Sequence, residues 1–265
     1  MAKLGPDFSI TGSLMNISAY KMRGVEGTIL RTKGGASKEK IKKDPAFERT
    51  RELNAEFGGR AAGSKWIMQS LWPQKALADY NIAGPINTLL KPIQDLDTES
   101  KRGQRHIILS KNPRLLEGFS LNKNHPFDSV IRTPVLYSVE KDSLSASISI
   151  PALLPGINFY MPRQSPMYSI IAVLGIVPDL FYHPNGYKPS SDSYREGTFV
   201  TAETSWYPAL QGSEASSLEL SLDIVPPDSS FSLLLSIGIR LGTMQDATTI
   251  QQVARAGAAK VLGMG

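Results

Sequence analysis

Polar and apolar positions alternate with a period of two through much of the second half of the chain. Between Ser143 and Ile150 every second residue is serine, and between Ser216 and Ile224 leucines alternate with Ser, Glu and Asp. This alternation predicts strands with one buried and one solvated face. Clusters of Pro, Gly, Asn and Asp separate six strand-like runs, at 129–139, 143–150, 168–177, 198–206, 216–224 and 231–241. Such spacing is typical of an antiparallel β-sandwich.

A helical period replaces this alternation after Asp44-Pro45. Aspartate caps exposed N–H groups and proline is tolerated in a first helical turn, so the pair predicts a helix start. The apolar face of that helix is predicted at Ala46, Thr50, Leu53 and Phe57. Gly58-Gly59 is expected to end or bend it. A second helical segment, 60–72, should then bury Trp66, Ile67, Ser70 and Leu71 and stop at Pro73.

The remaining segments give weaker patterns. Residues 8–20 and 27–32 predict two short strands around a glycine-containing turn. Residues 76–98 predict one or two short helices interrupted by Gly84-Pro85 and Pro92, followed by a basic loop over 100–114 with a short strand at Ile107 to Leu109. The tail is ambiguous, with a helix favoured at 246–256 over a closing strand at 258–264. The predicted fold class is α+β, with a basic N-terminal β-hairpin and helices (1–116) before a β-sandwich-like domain with a C-terminal tail (117–265).

Net charge also differs between the two predicted domains. Residues 1–116 contain 20 Lys and Arg against 11 Asp and Glu, a net charge of +9, and residues 117–265 carry a net charge of −4. A basic front half can meet nucleic acid, an anionic membrane surface or the acidic face of another copy.

The N-terminal residues lack the apolar core of a secretory signal peptide, and no run reaches the ~18 apolar residues of a spanning helix. The longest apolar run, Tyr168 to Pro178, fits a buried strand. We therefore expect a protein of the cytoplasm or of a virion-like assembly, with export by another route left open.

Four motifs carry a resemblance. GTILRTKGG (27–35), DPAFERTRE (44–52), EFG (56–58) and RGQR (102–105) resemble a family of small uncharacterised proteins from Bacteroidota. The resemblance covers roughly residues 10–60 plus RGQR, and the chain departs from the family pattern at Ser13-Leu14 and at 18–21. It implies a shared N-terminal architecture and a Bacteroidota cell, or a virus infecting one, as the source. It implies no activity and no catalytic residues.

The sequence lacks the motifs typical of catalytic, metal-binding and cofactor-binding sites. Without cysteine there are no disulfides, thiolate metal sites or thiol nucleophiles. His106, His125 and His183 are isolated from one another, and neither a nucleophile elbow nor a phosphate-binding glycine motif occurs. We therefore predict a protein that is not an enzyme and has no metal, cofactor or small-molecule substrate.

The basic residues leave two hypotheses. The first is a structural, self-assembling subunit of a filament, tube or virus-like shell, built by head-to-tail packing of basic and acidic surfaces, with an arm strand lent to the sheet edge of a neighbouring copy. The alternative is a nucleic-acid-binding protein that uses the same cations. The predicted contact residues are Arg31, Lys33, Arg49, Arg51, Arg102 and Arg105, and charge reversal at Arg49 and Arg51 is expected to weaken assembly.

Overall fold

A computed structural model describes residues 2–4, 10–22, 26–32, 34–161, 165–246 and 249–265. The chain divides into two compact units, Met1–Arg51 and Glu52–Gly265. The predicted boundary after residue 116 falls inside the second unit, because residues 52–116 belong to the same compact body as the large sheets.

The first unit contains a four-stranded antiparallel sheet, here called the N-terminal sheet, with strand order β1-β4-β3-β2. Its strands are β1 (Ala2–Leu4), β2 (Gly12–Leu14), β3 (Ile17–Tyr20) and β4 (Thr28–Thr32). The pairing of β3 with β4 confirms the predicted hairpin, and Ile17 lies opposite Thr32. The predicted strand over 8–20 is split by a turn in which Met15 has φ 47°, so its two halves pair with each other. Gly24, in the predicted turn, lies outside the described residues.

Helix α1 (Lys38–Lys43) was not predicted and is followed by a 3-10 turn (Pro45–Phe47) and helix α2 (Glu48–Ser70). The Asp44 carboxylate accepts the N–H of Ala46 at 2.9 Å, which confirms the predicted start signal.

Helix α2 runs through Gly58 and Gly59 to Ser70, so the helix does not end there and the two predicted segments are one helix. Gly59 is needed for close packing, since a Cβ atom at that position would lie 2.6 Å from the ring of Tyr187. The predicted apolar face was also wrong, because Leu53 is 46% exposed and Phe57 57% exposed. The buried residues of the helix are Glu56, Gly59, Gly63, Ser64, Trp66, Ile67 and Ser70.

Shorter helical pieces follow. They are a 3-10 helix (Trp72–Leu77), helix α3 (Ala83–Asp95), two 3-10 turns (Leu109–Lys111 and Pro113–Leu116) and helix α4 (Phe127–Val130). Gly84 and Pro85 lie in the first turn of α3, where proline costs no intrahelical hydrogen bond. They therefore begin the helix rather than interrupt it, and α3 also continues through Pro92. The segment 107–109 forms a single bridge, from Ile107 to Leu180, in place of the predicted strand.

Three further sheets belong to the second unit. The large sheet has the order β10-β7-β13-β14 with β11 added to β7, the serine sheet has the order β12-β6-β5, and β8 and β9 form a hairpin. Their bounds are β5 (Leu136–Glu140), β6 (Ser145–Ile150), β7 (Met167–Pro178), β8 (Phe181–His183), β9 (Gly186–Lys188), β10 (Phe199–Glu203), β11 (Tyr207–Pro208), β12 (Ser216–Ser221), β13 (Phe231–Met244) and β14 (Ile250–Met264).

The second unit is built in three layers around the large sheet. One face of β7, with Ile170 and Leu174, packs on the serine sheet, and this two-sheet core is the predicted sandwich. The other face, with Ile171 and Val173, packs on α2 and α3 in a second core. Because both faces of β7 are covered, its sequence is a continuous apolar run. The fold is α+β, as the sequence predicts.

The tail is strand β14, so the preference for a helix at 246–256 was wrong. It pairs antiparallel with β13 from Leu234–Met264 to Met244–Ile250, and residues 253–256 bulge out of the ladder. Ala258 enters the sandwich core and Ala259 the helix-side core. Sheet pairing thus overrides a helical spacing of small residues.

Candidate interaction surface

The first unit holds four of the predicted contact residues. Arg31 on β4 and Arg49 on α2 are exposed. Arg51 is partly buried, and its guanidinium donates to the carbonyl oxygens of Ile41 and Asp44, both at 2.9 Å. Arg51 therefore fixes the turn between α1 and α2. Lys33 lies outside the described residues.

Helix α1 carries further cations of the first unit, which the sequence also marks as candidates for phosphate binding. All four of its lysines, Lys38, Lys40, Lys42 and Lys43, are exposed. Lys43 lies 3.5 Å from Glu39, but both side chains are more than two-thirds exposed, and such surface pairs contribute little to stability. By sequence, Met1–Arg51 carries 11 basic and five acidic residues, a net charge of +6, which leaves −1 for Glu52–Gly265.

The first unit also exposes aliphatic side chains. Leu14 is 78% exposed and Met15 92% exposed, and Ile10, Ile17 and Met22 are also exposed. Among its described residues, the buried apolar side chains are Ala19 and Ile29. The N-terminal sheet thus has a small core and an exposed aliphatic surface.

Arg102 and Arg105 lie in one loop of the second unit but differ in environment. Arg102 is exposed, whereas Arg105 forms two hydrogen bonds to Glu56, at 2.7 and 2.8 Å, and an ion pair with Asp95 at 2.8 Å. Glu56 is only 2% exposed and also accepts the N–H of Gly103 at 2.9 Å. The bonds from Arg105 and Gly103 lower the pKa of Glu56 against the opposing effect of burial. Both groups are therefore charged, as a buried pair requires.

Further hydrogen bonds join this pair to its surroundings. Tyr187 on β9 donates to the carbonyl oxygen of Arg105 at 2.8 Å, and Gln94 on α3 donates to the same oxygen at 3.1 Å. Arg60 on α2 donates to Gln94 at 2.7 Å. Burial raises the pKa of Tyr187 to about 12, so it remains a donor. Arg105 thus holds α2, α3 and β9 together, and of the two arginines Arg102 is the one available to another molecule.

The histidine with most polar contacts is His106, in a cleft of about 280 Å³ beside Asp97. Its backbone N–H donates to Asp97 at 2.8 Å, and its Nδ1 accepts the N–H of Tyr182 at 3.0 Å. Burial opposes ionisation of Asp97, but backbone donors from His106 and Ser100 lower its pKa to about 2. These bonds order the loop between α3 and β8. No group of three or more His, Asp or Glu among the described residues is placed to hold a metal ion.

An apolar groove of about 920 Å³ lies between α2 and the first turn of α3. Phe57, the residue expected in the core, lines it instead, together with Met68, Leu89 and Phe119. Helical periodicity reveals which residues of one helix share a face but does not reveal whether another element covers that face.

The serine sheet presents a polar outer face. Its outward residues form rows across the three strands, such as Ser138–Ser147–Glu219 and Glu140–Ser145–Ser221. Ser138 and Ser147 hydrogen-bond to each other at 2.9 Å. The charged residues of these three strands are Glu140 and Glu219, so the face is weakly acidic. The period-two pattern in the sequence predicted this face, although the predicted contact residues include none of its side chains.

No family model, curated protein or solved structure matches this chain. None of the described helices is long and apolar enough to cross a membrane.

Proposed function

We propose that the protein is a structural subunit that assembles with copies of itself into a filament, tube or virus-like shell. In this proposal the basic first unit of one copy packs on the weakly acidic second unit of the next. Because the two contacting surfaces are different, the contact repeats head-to-tail and closes into a ring or continues as a filament.

The observation that carries the proposal is the exposed aliphatic surface of the first unit. Leu14, Met15 and Ile17 stand in solvent, while the second unit has two large cores of its own. Monomeric proteins rarely leave a contiguous apolar patch uncovered. A second copy supplies the cover, and the charges of +6 and −1 favour contact between unlike units over contact between two basic units.

The exposed lysines of α1 favour a second function, nucleic-acid binding. Four lysines within six residues can neutralise phosphates. Stacking residues are few here, since Phe47 is the one aromatic residue between Lys38 and Arg51. Binding would therefore be to the phosphate backbone, with little dependence on base sequence.

The test is the native mass of nuclease-treated protein, measured by size-exclusion chromatography with light scattering. We expect a mass several times 28.9 kDa that falls with dilution and with added salt. A monomer at every concentration would contradict the structural function. An oligonucleotide titration follows in that case, and binding that weakens steeply with salt would support the second function.

A further inference from the structure

The large sheet and the serine sheet end in the strands β10, β14, β12 and β5, and the edge of β14 is covered. The edge of β14 is paired by residues 118–121: Gly118 donates to Val261 at 2.9 Å and Leu121 donates to Ala259 at 2.8 Å. Strands β10 and β12, which end the large sheet and the serine sheet, contact each other.

Strand β5 is different. All of its main-chain pairings among the described residues are with β6, on one side. Leu136 is 69% exposed, and Tyr137, Ser138 and Glu140 are exposed as well. The strand contains no proline, lysine or bulge, three of the features that protect a free edge, and its one charged residue is Glu140. It can accept another strand.

A matching strand lies at the edge of the N-terminal sheet. Strand β2 is exposed at all three residues and pairs only with β3 among the described residues. Together with the exposed Ile10 and Thr11 before it, this strand forms the five-residue segment Ile10–Leu14.

We propose that the edge of β5 receives the segment Ile10–Leu14 of a second copy as an added strand. This inference rests on the proposed self-assembly and names its contact surface. Main-chain hydrogen bonds supply the attachment, as in other cases of strand addition.

The side-chain patterns of the two segments agree. Tyr137 and Val139 point toward the large sheet, where Cβ atoms on Gly263 and Gly265 would lie 2.4 and 2.9 Å from them. In an added strand, Ile10 and Leu14 continue this inner face, while Thr11 and Ser13 continue the outer serine rows. A shift by one residue would turn Ile10 and Leu14 to the outer face, so the pattern selects registers in which either Ser13 or Thr11 lies opposite Ser138.

Charge favours the same pairing. The segment Ile10–Leu14 carries no charge, so adding it to a sheet edge buries none. The unit that carries it has a net charge of +6, and the sheet that receives it bears Glu140 and Glu219.

The chain has no cysteine, so every disulfide in the mixture joins engineered cysteines, and the peptides identify which sites are joined. Two full-length variants, Ser13→Cys and Ser138→Cys, are mixed and oxidised, and a third, Thr11→Cys, tests the other outward position. Directly opposed residues of paired strands lie within disulfide distance. We expect a crosslinked species of twice 28.9 kDa in the mixture, containing both cysteine peptides by mass spectrometry. Because each variant has one cysteine, a bond between the two sites must join two molecules.

The matched control pairs Ser13→Cys with Ser221→Cys, which is exposed on the same outer face but on β12. We expect at least tenfold less crosslinking for it. An oligomeric mass with equal crosslinking in both mixtures, or with none, overturns the assignment to β5 and leaves the proposed function standing. A monomeric mass overturns the proposed function and this inference with it.

Discussion

The side chain of Arg105 joins helices α2 and α3 of the second unit. Its predicted role was contact with a partner, but its guanidinium is held by Glu56 and Asp95. A sequence shows that an arginine is present in a glycine-containing loop. It does not show that a buried carboxylate from a helix 49 residues earlier lies against it.

The buried pair predicts a large effect of removing its charge. Glu56→Gln keeps the size of the side chain but leaves Arg105 with a weaker acceptor in a site that is 2% exposed. We expect the free energy of unfolding, measured by urea denaturation, to fall by about 3 kcal/mol. The same change at the exposed Glu99 should alter it by less than about 0.5 kcal/mol. Equal effects at both positions would refute the importance of the pair.

Asp97 predicts a stability change in acid. Its pKa is about 2 in the folded protein and near 3.8 without these contacts, because backbone donors from His106 and Ser100 outweigh burial. A lowered pKa stabilises the fold above the unfolded value, and this stabilisation is lost as the pH falls from about 4 to about 2. Asp97→Asn should therefore flatten the fall of unfolding free energy over this range. The exposed Asp142→Asn should reproduce the wild-type curve, and a wild-type slope in Asp97→Asn would contradict the assignment.

At the scale of elements, adjacent glycines in α2 have opposite roles. Gly58 is exposed and a Cβ atom there meets nothing within 4 Å, so Gly58→Ala should stabilise the protein by about 0.4–1 kcal/mol. At Gly59 a Cβ atom would lie 2.6 Å from the Tyr187 ring, which is held by its hydrogen bond to Arg105. Gly59→Ala should therefore destabilise by about 1–3 kcal/mol. Thermal or urea unfolding of the two variants tests this, and changes of the same sign would contradict the packing of α2 on β9.

The attachment of β14 to the helical layer depends on Asn122. This residue is 4% exposed, donates to the carbonyl oxygen of Leu77 at 2.7 Å and accepts the N–H of Ala259 at 2.9 Å. Asn122→Ala leaves both backbone groups buried without these partners and should lower the free energy of unfolding by about 2 kcal/mol or more. The exposed Asn124→Ala is the control, with an expected change below about 0.5 kcal/mol. Similar losses of unfolding free energy in the two variants would show that the hydrogen bonds of Asn122 are unimportant.

At the scale of the whole molecule, the exposed lysines of α1 test the role of charge in assembly. Reversal of Arg51 would disturb the turn that it holds, so Lys40→Glu with Lys42→Glu is the cleaner variant. We expect its native mass to fall relative to wild type, because the basic unit loses its attraction for the acidic sheet. Raising the ionic strength should lower the wild-type mass in the same direction.

The matched control is Lys101→Glu with Lys188→Glu, which makes the same change of net charge at exposed sites of the second unit. Its native mass should stay close to wild type. An equal loss of assembly in both double variants would mean that total charge matters, and the basic face would then have no special role.

The sequence by itself determined those elements whose buried and exposed residues follow a local pattern. Strict alternation at β6 and β12, the apolar run of β7 and the Asp44-Pro45 start are local signals, and each was confirmed. The α+β class follows from them. These signals are reliable because pleat geometry and capping act over a few residues.

Only the tertiary structure decided what covers each face. Leu53 and Phe57 share a helical face that remains exposed, Gly59 serves a tyrosine far along the chain, and the small residues of the tail form a strand because β13 offers an edge. The free edge of β5 is likewise a property of which strands lie beside it. Burial, close approach and edge exposure are relations between distant segments, and a local pattern does not contain them.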